Sequence, residues 1–104
     1  MSNPSTRRFE RHTVNLWAAE HEADAVYYHE VSNLSLGGVF LRKKVPLPVG
    51  HRIALEFTLP SGETVWAEGV TVHSGNTGIQ GNGIEFDKIQ LAHQTALERF
   101  LSDD

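Results

Sequence analysis

Apolar and polar positions alternate with a period of two along most of this chain, and that pattern predicts strands. From Thr13 onward, Val14, Leu16 and Ala18 fall on one face and Asn15 and Trp17 on the other. The short acidic stretch 20–25 reads as a turn, and 26–31 as a second strand rich in β-branched and aromatic residues. Residues 33–38 interrupt the pattern and Val39-Phe40-Leu41 resumes it. The segment 45–50 is a proline-punctuated connection, because proline cannot donate to a strand ladder. Ile53, Leu55, Phe57 and Leu59 alternate cleanly, Pro60-Ser61-Gly62 is a turn, and 63–73 forms the partner strand of a hairpin. Residues 74–83 hold four glycines and read as a flexible loop, with Ile84-Glu85-Phe86 as a short last strand.

Only the C-terminal end carries a helical period. Ile89, Ala92, His93, Ala96, Leu97, Phe100 and Leu101 form a mostly apolar stripe, and Asp87 and Gln90 have capping-box spacing. A helix is therefore expected at about 88–102, covering one mouth of a β structure. Short strands with no intervening helix point to an antiparallel barrel or sandwich. At 104 residues the chain is one domain with one core. Trp17, Trp66 and Tyr27 are read as core or strand-pair residues rather than stacking platforms.

Composition narrows the function classes. The net charge of −4 disfavours a sequence-independent nucleic-acid coat, which rests on phosphate neutralisation. The absence of cysteine removes disulfides, Cys-based zinc sites and thiol catalysis. The opening MSNPST is not a secretory signal and no apolar run is long enough to span a membrane, so a cytoplasmic location is expected. The charge is uneven: residues 1–44 carry a net +1 and 45–104 a net −5. Three arginines fall within residues 1–12, a polar arm expected to be flexible. The acidic surplus of the second half is expected on the side away from them.

Two fragments exceed what folding needs. Arg7-Arg8-Phe9-Glu10-Arg11 has R-x-x-x-R spacing, and residues 33–38 have N-x-S-x-x-G spacing at a turn between strands. If the two strands between them pair as a hairpin, arm and turn meet. Arginine pairs with phosphate or a guanine edge and stacks on flat rings. Asn33 and Ser35 add short hydrogen-bonding side chains, and Gly37 and Gly38 permit close backbone approach. A purine-containing anion with more than one phosphate fits this inventory. Arg42-Lys43-Lys44 either extends the positive field or is the charged end of a strand. His21, Glu22, Asp24, His29 and Glu30 hold enough ligands for a metal, but their spacing matches no motif and reads as a solvated turn.

R-x-x-x-R followed by N-x-S-x-x-G resembles the signature of PilZ domains, bacterial receptors for cyclic di-GMP. Gly81-Asn82-Gly83-Ile84-Glu85-Phe86 also resembles the G-x-G-hydrophobic-x-F segment of the family's last strand. The resemblance implies a mainly β fold: a six-stranded antiparallel Greek-key-like β-barrel over 13–104, with a C-terminal α-helix. It implies a cyclic di-GMP site of Arg7 and Arg11 from the arm, with Arg8 adding a phosphate contact, and Asn33, Ser35 and Gly38 from the turn; Gly37, at a position the motif leaves open, joins the candidate site through its backbone. The family often has Trp near the end of the strand before the last; His73 stands there, and imidazole can also stack. It implies no catalysis, no metal and no cofactor beyond the ligand. Nucleotide binding is expected to order the arm and signal to an unidentified protein partner, with no nucleic acid or membrane involved and a homodimer compatible. The contrasting expectation is a PilZ-like scaffold that docks proteins without nucleotide.

Overall fold

The computed structural model describes residues 12–75 and 80–102, the side chains of 73–75 excepted. Six strands are followed by one helix: β1 (His12–His21), β2 (Val26–Leu34), β3 (Gly38–Arg42), β4 (Arg52–Thr58), β5 (Thr64–Gly75), β6 (Gly81–Ile89) and α1 (Leu91–Ser102). All pairings are antiparallel and the sheet closes in the order β1-β2-β3-β6-β5-β4. This is the six-stranded barrel with a C-terminal helix that the motifs imply. The β3–β4 connection makes the crossover, because β4 pairs with β1 rather than with β3.

Inward positions supply the core: Leu16, Ala18, Val31, Leu34, Val39, Leu41, Ile53, Leu55, Phe57, Val65 and Ile84 are all buried. Closure leaves the described strands no free edge, which removes the usual route to strand-on-strand aggregation. The register sorts the connections into two ends. One end holds the start of β1, the β2–β3 turn, the β4–β5 turn and the end of β6. Helix α1 leaves β6 there and packs on β5, burying Ala96, Leu97 and Leu101 in the same cluster as Leu59 and Val65. At the other end the 43–51 connection crosses the mouth. Leu47 packs against the core, and the buried Asn82 clamps it, accepting from Leu47 N at 2.7 Å and donating to Leu47 O at 2.9 Å.

Several boundaries differ from the sequence reading, each for a packing reason. β1 includes His12, which was placed in the arm, and runs through Glu20 and His21, which were read as turn. β6 begins at Gly81, inside the stretch read as a loop. A Cβ at Gly81 would collide with the carbonyl of Leu41, so glycine here permits close strand packing rather than flexibility. The helix starts at Leu91, not near 88, because β6 continues to Ile89. Asp87 therefore caps nothing. It takes a bidentate bond from Arg52 at 2.8 and 2.9 Å, which holds its carboxyl below the usual range. Trp17 and Tyr27 are 59% and 52% exposed, so of the two expectations they are strand-pair rather than core residues, opposite Glu30 and Glu20. The strand alternation had already set Trp17 opposite the Leu16 face. Trp66 is half-buried, its ring tilted against His21 with centroids 4.9 Å apart.

Candidate functional site

The β1–β2 pairing sets where the described chain begins relative to the turn. His12 pairs with Leu34 and Thr13 with Asn33, so the chain enters the barrel directly across from the start of the turn. Arg7, Arg8 and Arg11 lie outside the described residues, and Arg11 immediately precedes His12 in sequence.

Asn33 lies on β2 itself, not in the turn proper, at a point where the register shifts against both neighbours. Against β3, Ser32 is the extra residue between the Val31–Leu41 and Asn33–Phe40 pairs. Bulges of this kind re-aim side chains, and here two successive half-exposed residues, Ser32 and Asn33, sit between buried Val31 and Leu34. Asn33 Nδ2 donates to Ser32 Oγ at 3.5 Å.

Ser35 is buried, and its hydroxyl works within the turn. Oγ accepts from Gly37 N at 3.2 Å and Gly38 N at 3.1 Å, and donates to Gly38 O at 3.4 Å. The backbone closes the same loop through Ser35 N donating to Gly38 O at 2.9 Å. This is the local side-chain turn that serine favours outside helices. Gly38 has a packing duty: a Cβ there would collide with the carbonyl oxygen of Ile84 on β6. Gly37 carries the next tie, its carbonyl accepting from Phe86 N at 2.8 Å. The turn is thus bonded to β6 as well as to itself.

His73 pairs through its backbone with Gly83, Gly83 with Phe40, Phe40 with Asn33, and Asn33 with Thr13. These five residues form one lateral row across five strands, so Asn33 and His73 are within about 15 Å at ordinary strand spacing. Phe40, between them, was not singled out from sequence. Its signal was the alternation that places it opposite buried Val39 and Leu41.

The charge pattern departs from expectation in two places. Exposed Glu85 pairs with Gly38, so the acidic second half of the chain reaches the turn rather than lying away from it. Arg42 ends β3 and Lys43-Lys44 follow it toward the other end, where Lys43 turns inward: Nζ donates to Oε1 of Glu20 at 2.9 Å, and His29 Nε2 lies 2.7 Å from the same oxygen. Glu20 is only 2% exposed. Its burial opposes ionisation, but hydrogen bonds with Glu22, Lys43 and His29 and the charge of Lys43 outweigh that and hold its pKa at about 2. Sequence reasoning missed this cluster because it read Glu20 as turn, and because its partners come from β2 and the end of β3. Among the described residues no helix is long and apolar enough to cross a membrane.

Comparison with known proteins agrees with this architecture. No curated protein matched the chain. Among solved structures, Bacillus subtilis inhibitor of motility (MotI/DgrA) superposes with a TM-score of 0.79 at 19% identity, over 93% of this chain and 52% of MotI. This chain therefore spans about half the length of MotI. The PilZ domain of Escherichia coli YcgR with c-di-GMP gives 0.70 at 16% identity, covering 92% of this chain and 89% of that one. Borreliella burgdorferi PlzA in complex with c-di-GMP gives 0.59 at 21% identity, covering 88% and 39%. At these identities the likeness is one of fold. The family model described as PilZ domain matches residues 5–103, a span that takes in both arginine and turn motifs, and on that match the chain belongs to the PilZ domain family.

Proposed function

We propose that this protein is a receptor for cyclic di-GMP, with Arg7, Arg8 and Arg11 gripping the ligand across the face shaped by Asn33, Ser35, Gly37, Gly38 and His73. The observation that supports the reading is the Thr13–Asn33 pair, which sets the start of β1, next in sequence to Arg11, beside the motif turn. PilZ structures that match this fold hold c-di-GMP, in YcgR and in PlzA, which supports the same ligand class here. The two motifs divide the labour. Arginines supply charge-assisted bonds to phosphate and guanine edges. The turn supplies a surface already fixed by internal bonds, so little ordering cost falls on it when ligand binds. No step requires catalysis. Closing the arm over the ligand changes the surface that a partner protein reads, an order–disorder switch.

Isothermal titration against cyclic di-GMP, with GTP and linear pGpG as controls, tests the reading. Saturable heat with cyclic di-GMP alone is expected, and no heat at tens of micromolar overturns it. Arg7→Ala and Arg11→Ala should each weaken binding at least tenfold while shifting the melting temperature by less than about 2 °C, as for surface substitutions outside the core. The alternative, a scaffold that docks proteins without nucleotide, has one observation in its favour: the bonds of Ser35 already explain that residue structurally. Unfolding of Arg11→Ala would support it, because the arm would then be part of the fold.

A further inference from the structure

The outer face of β1, β2 and β3 continues past the Asn33–Phe40 pair toward the end of the barrel that the 43–51 connection crosses. Trp17 pairs with Glu30 there, and the Val31–Leu41 pair leaves Glu30 and Arg42 next along their strands. Trp17, Tyr28, Glu30, Arg42, Lys44 and Val45 line a shallow cavity of about 440 Å³. Trp17 is 59% exposed, Tyr28 69% and Val45 79%. A small barrel gains nothing in stability from holding an indole and a phenol ring in water.

The charges of this face are also left open. Exposed Arg52 and Arg99 are each committed to a carboxylate, Asp87 and Glu63. Among the described residues, Arg42 and Lys44 take part in no ion pair. The floor beneath them is fixed by the buried bonds joining Glu20, His29 and Lys43. Trp, Tyr and Arg in a supported concavity are the residue types that dominate protein-binding hot spots. The occupant must be recognised through side chains, because the closed barrel offers no strand edge to extend.

We propose that this face docks an acidic segment of a partner protein that carries an apolar anchor. The anchor fills the cavity between Trp17, Tyr28 and Val45, and its flanking carboxylates pair with Arg42 and Lys44. Charge decides among occupants. Two open cations suit a pair of carboxylates but are too few for a run of backbone phosphates, which disfavours single-stranded nucleic acid despite the aromatic rings. A concave site suits an inserted side chain better than a lipid surface. The proposal stands whether or not the protein binds nucleotide.

Selection of a phage-displayed random dodecapeptide library on the full chain tests it, followed by titration of the enriched peptides. Expected are peptides with a surplus of Asp and Glu around an aromatic or aliphatic residue. Their affinity should fall at least tenfold with Trp17→Ala/Lys44→Glu and with Arg42→Glu, while thermal melts stay close to wild type. Enriched peptides without an acidic surplus, or equal binding to these variants, overturn the proposal. So does binding of a dT 20-mer or phosphatidylglycerol vesicles that these variants abolish, or self-association that they abolish in sedimentation. Cyclic di-GMP titrated into Trp17→Ala/Lys44→Glu at about 0.15 M salt, where the long-range field is screened, keeps the two readings apart: its isotherm should match wild type, and a wild-type protein that fails to bind nucleotide leaves the peptide result standing.

Discussion

Ser35 has no hydrogen-bonding capacity to spare, since its hydroxyl serves two turn amides and one carbonyl, so its contribution to ligand binding is the shape of the turn. Ser35→Ala should cost about 1–2 kcal/mol by leaving turn amides unsatisfied, read as a lower urea midpoint, and should weaken cyclic di-GMP in parallel. The serine-glycine motif was legible as a turn because its bonds are local: short polar side chains in such a run bond their own backbone wherever they occur. Glu20 was not legible, because its partners Lys43 and His29 are brought to it only by the barrel. Its pKa of about 2 lies below the ordinary 4.5, so its ionised form stabilises the fold. That contribution is complete above pH 4.5 and is lost as pH falls through about 2. Glu20→Gln should therefore destabilise the protein by about 3 kcal/mol at neutral pH, since it strands Lys43 in a buried setting. The gap between wild type and variant should narrow as urea titrations are repeated from pH 4.5 downward. A gap that stays constant over that range would mean that Glu20 is not ionised in the fold.

Each strand and the helix were legible from periodicity, but the ends of the elements were set by contacts that periodicity does not carry. β6 shows why: Gly81 and Gly83 lower strand propensity, yet the strand needs glycine at 81 because Leu41 O lies where a Cβ would go. The helix stripe was read correctly as a covering face, but His93 in it has a polar task. Its Nδ1 accepts from Trp66 N at 3.0 Å, so the helix is bonded to the backbone of β5 as well as packed on it. The proline-rich connection was legible only as a non-strand; that it seals a mouth follows from Asn82, whose two bonds to Leu47 make the connection part of the core. Asn82→Ala should release it at a cost of about 2–3 kcal/mol, because the Leu47 amide and carbonyl lose a shared buried partner. Hydrogen exchange should then quicken at Leu47 and His51 while the amides of β4 and β5 stay protected. Uniform loss of protection would instead mean that the connection is required for the barrel to form.

At the scale of the whole molecule, the barrel joins two regions without merging them: the motif turn lies near the helix-covered end, and the aromatic and basic face runs toward the other. Order along the chain hid this. The net −5 of residues 45–104 suggested an acidic side, but a crossover barrel interleaves the halves, and Glu85 faces the turn across the β3–β6 pair. Salt should expose the difference between contact and field. Lys44→Glu moves the net charge from −4 toward −6 without touching the turn, so it should weaken binding of the anionic dinucleotide only through the long-range field. At about 10 mM salt the screening length is about 30 Å and a several-fold loss of affinity is expected, whereas at 0.15 M it is about 8 Å and the loss should vanish. Ser35→Ala should weaken binding at both salt concentrations, because it acts through the geometry of the turn. In stability the two substitutions share no partner, so the double variant should lie within about 0.5 kcal/mol of the sum of the singles. A Lys44→Glu loss that persists at 0.15 M would place Lys44 in contact with the nucleotide, and the aromatic and basic face would then belong to the same site as the turn.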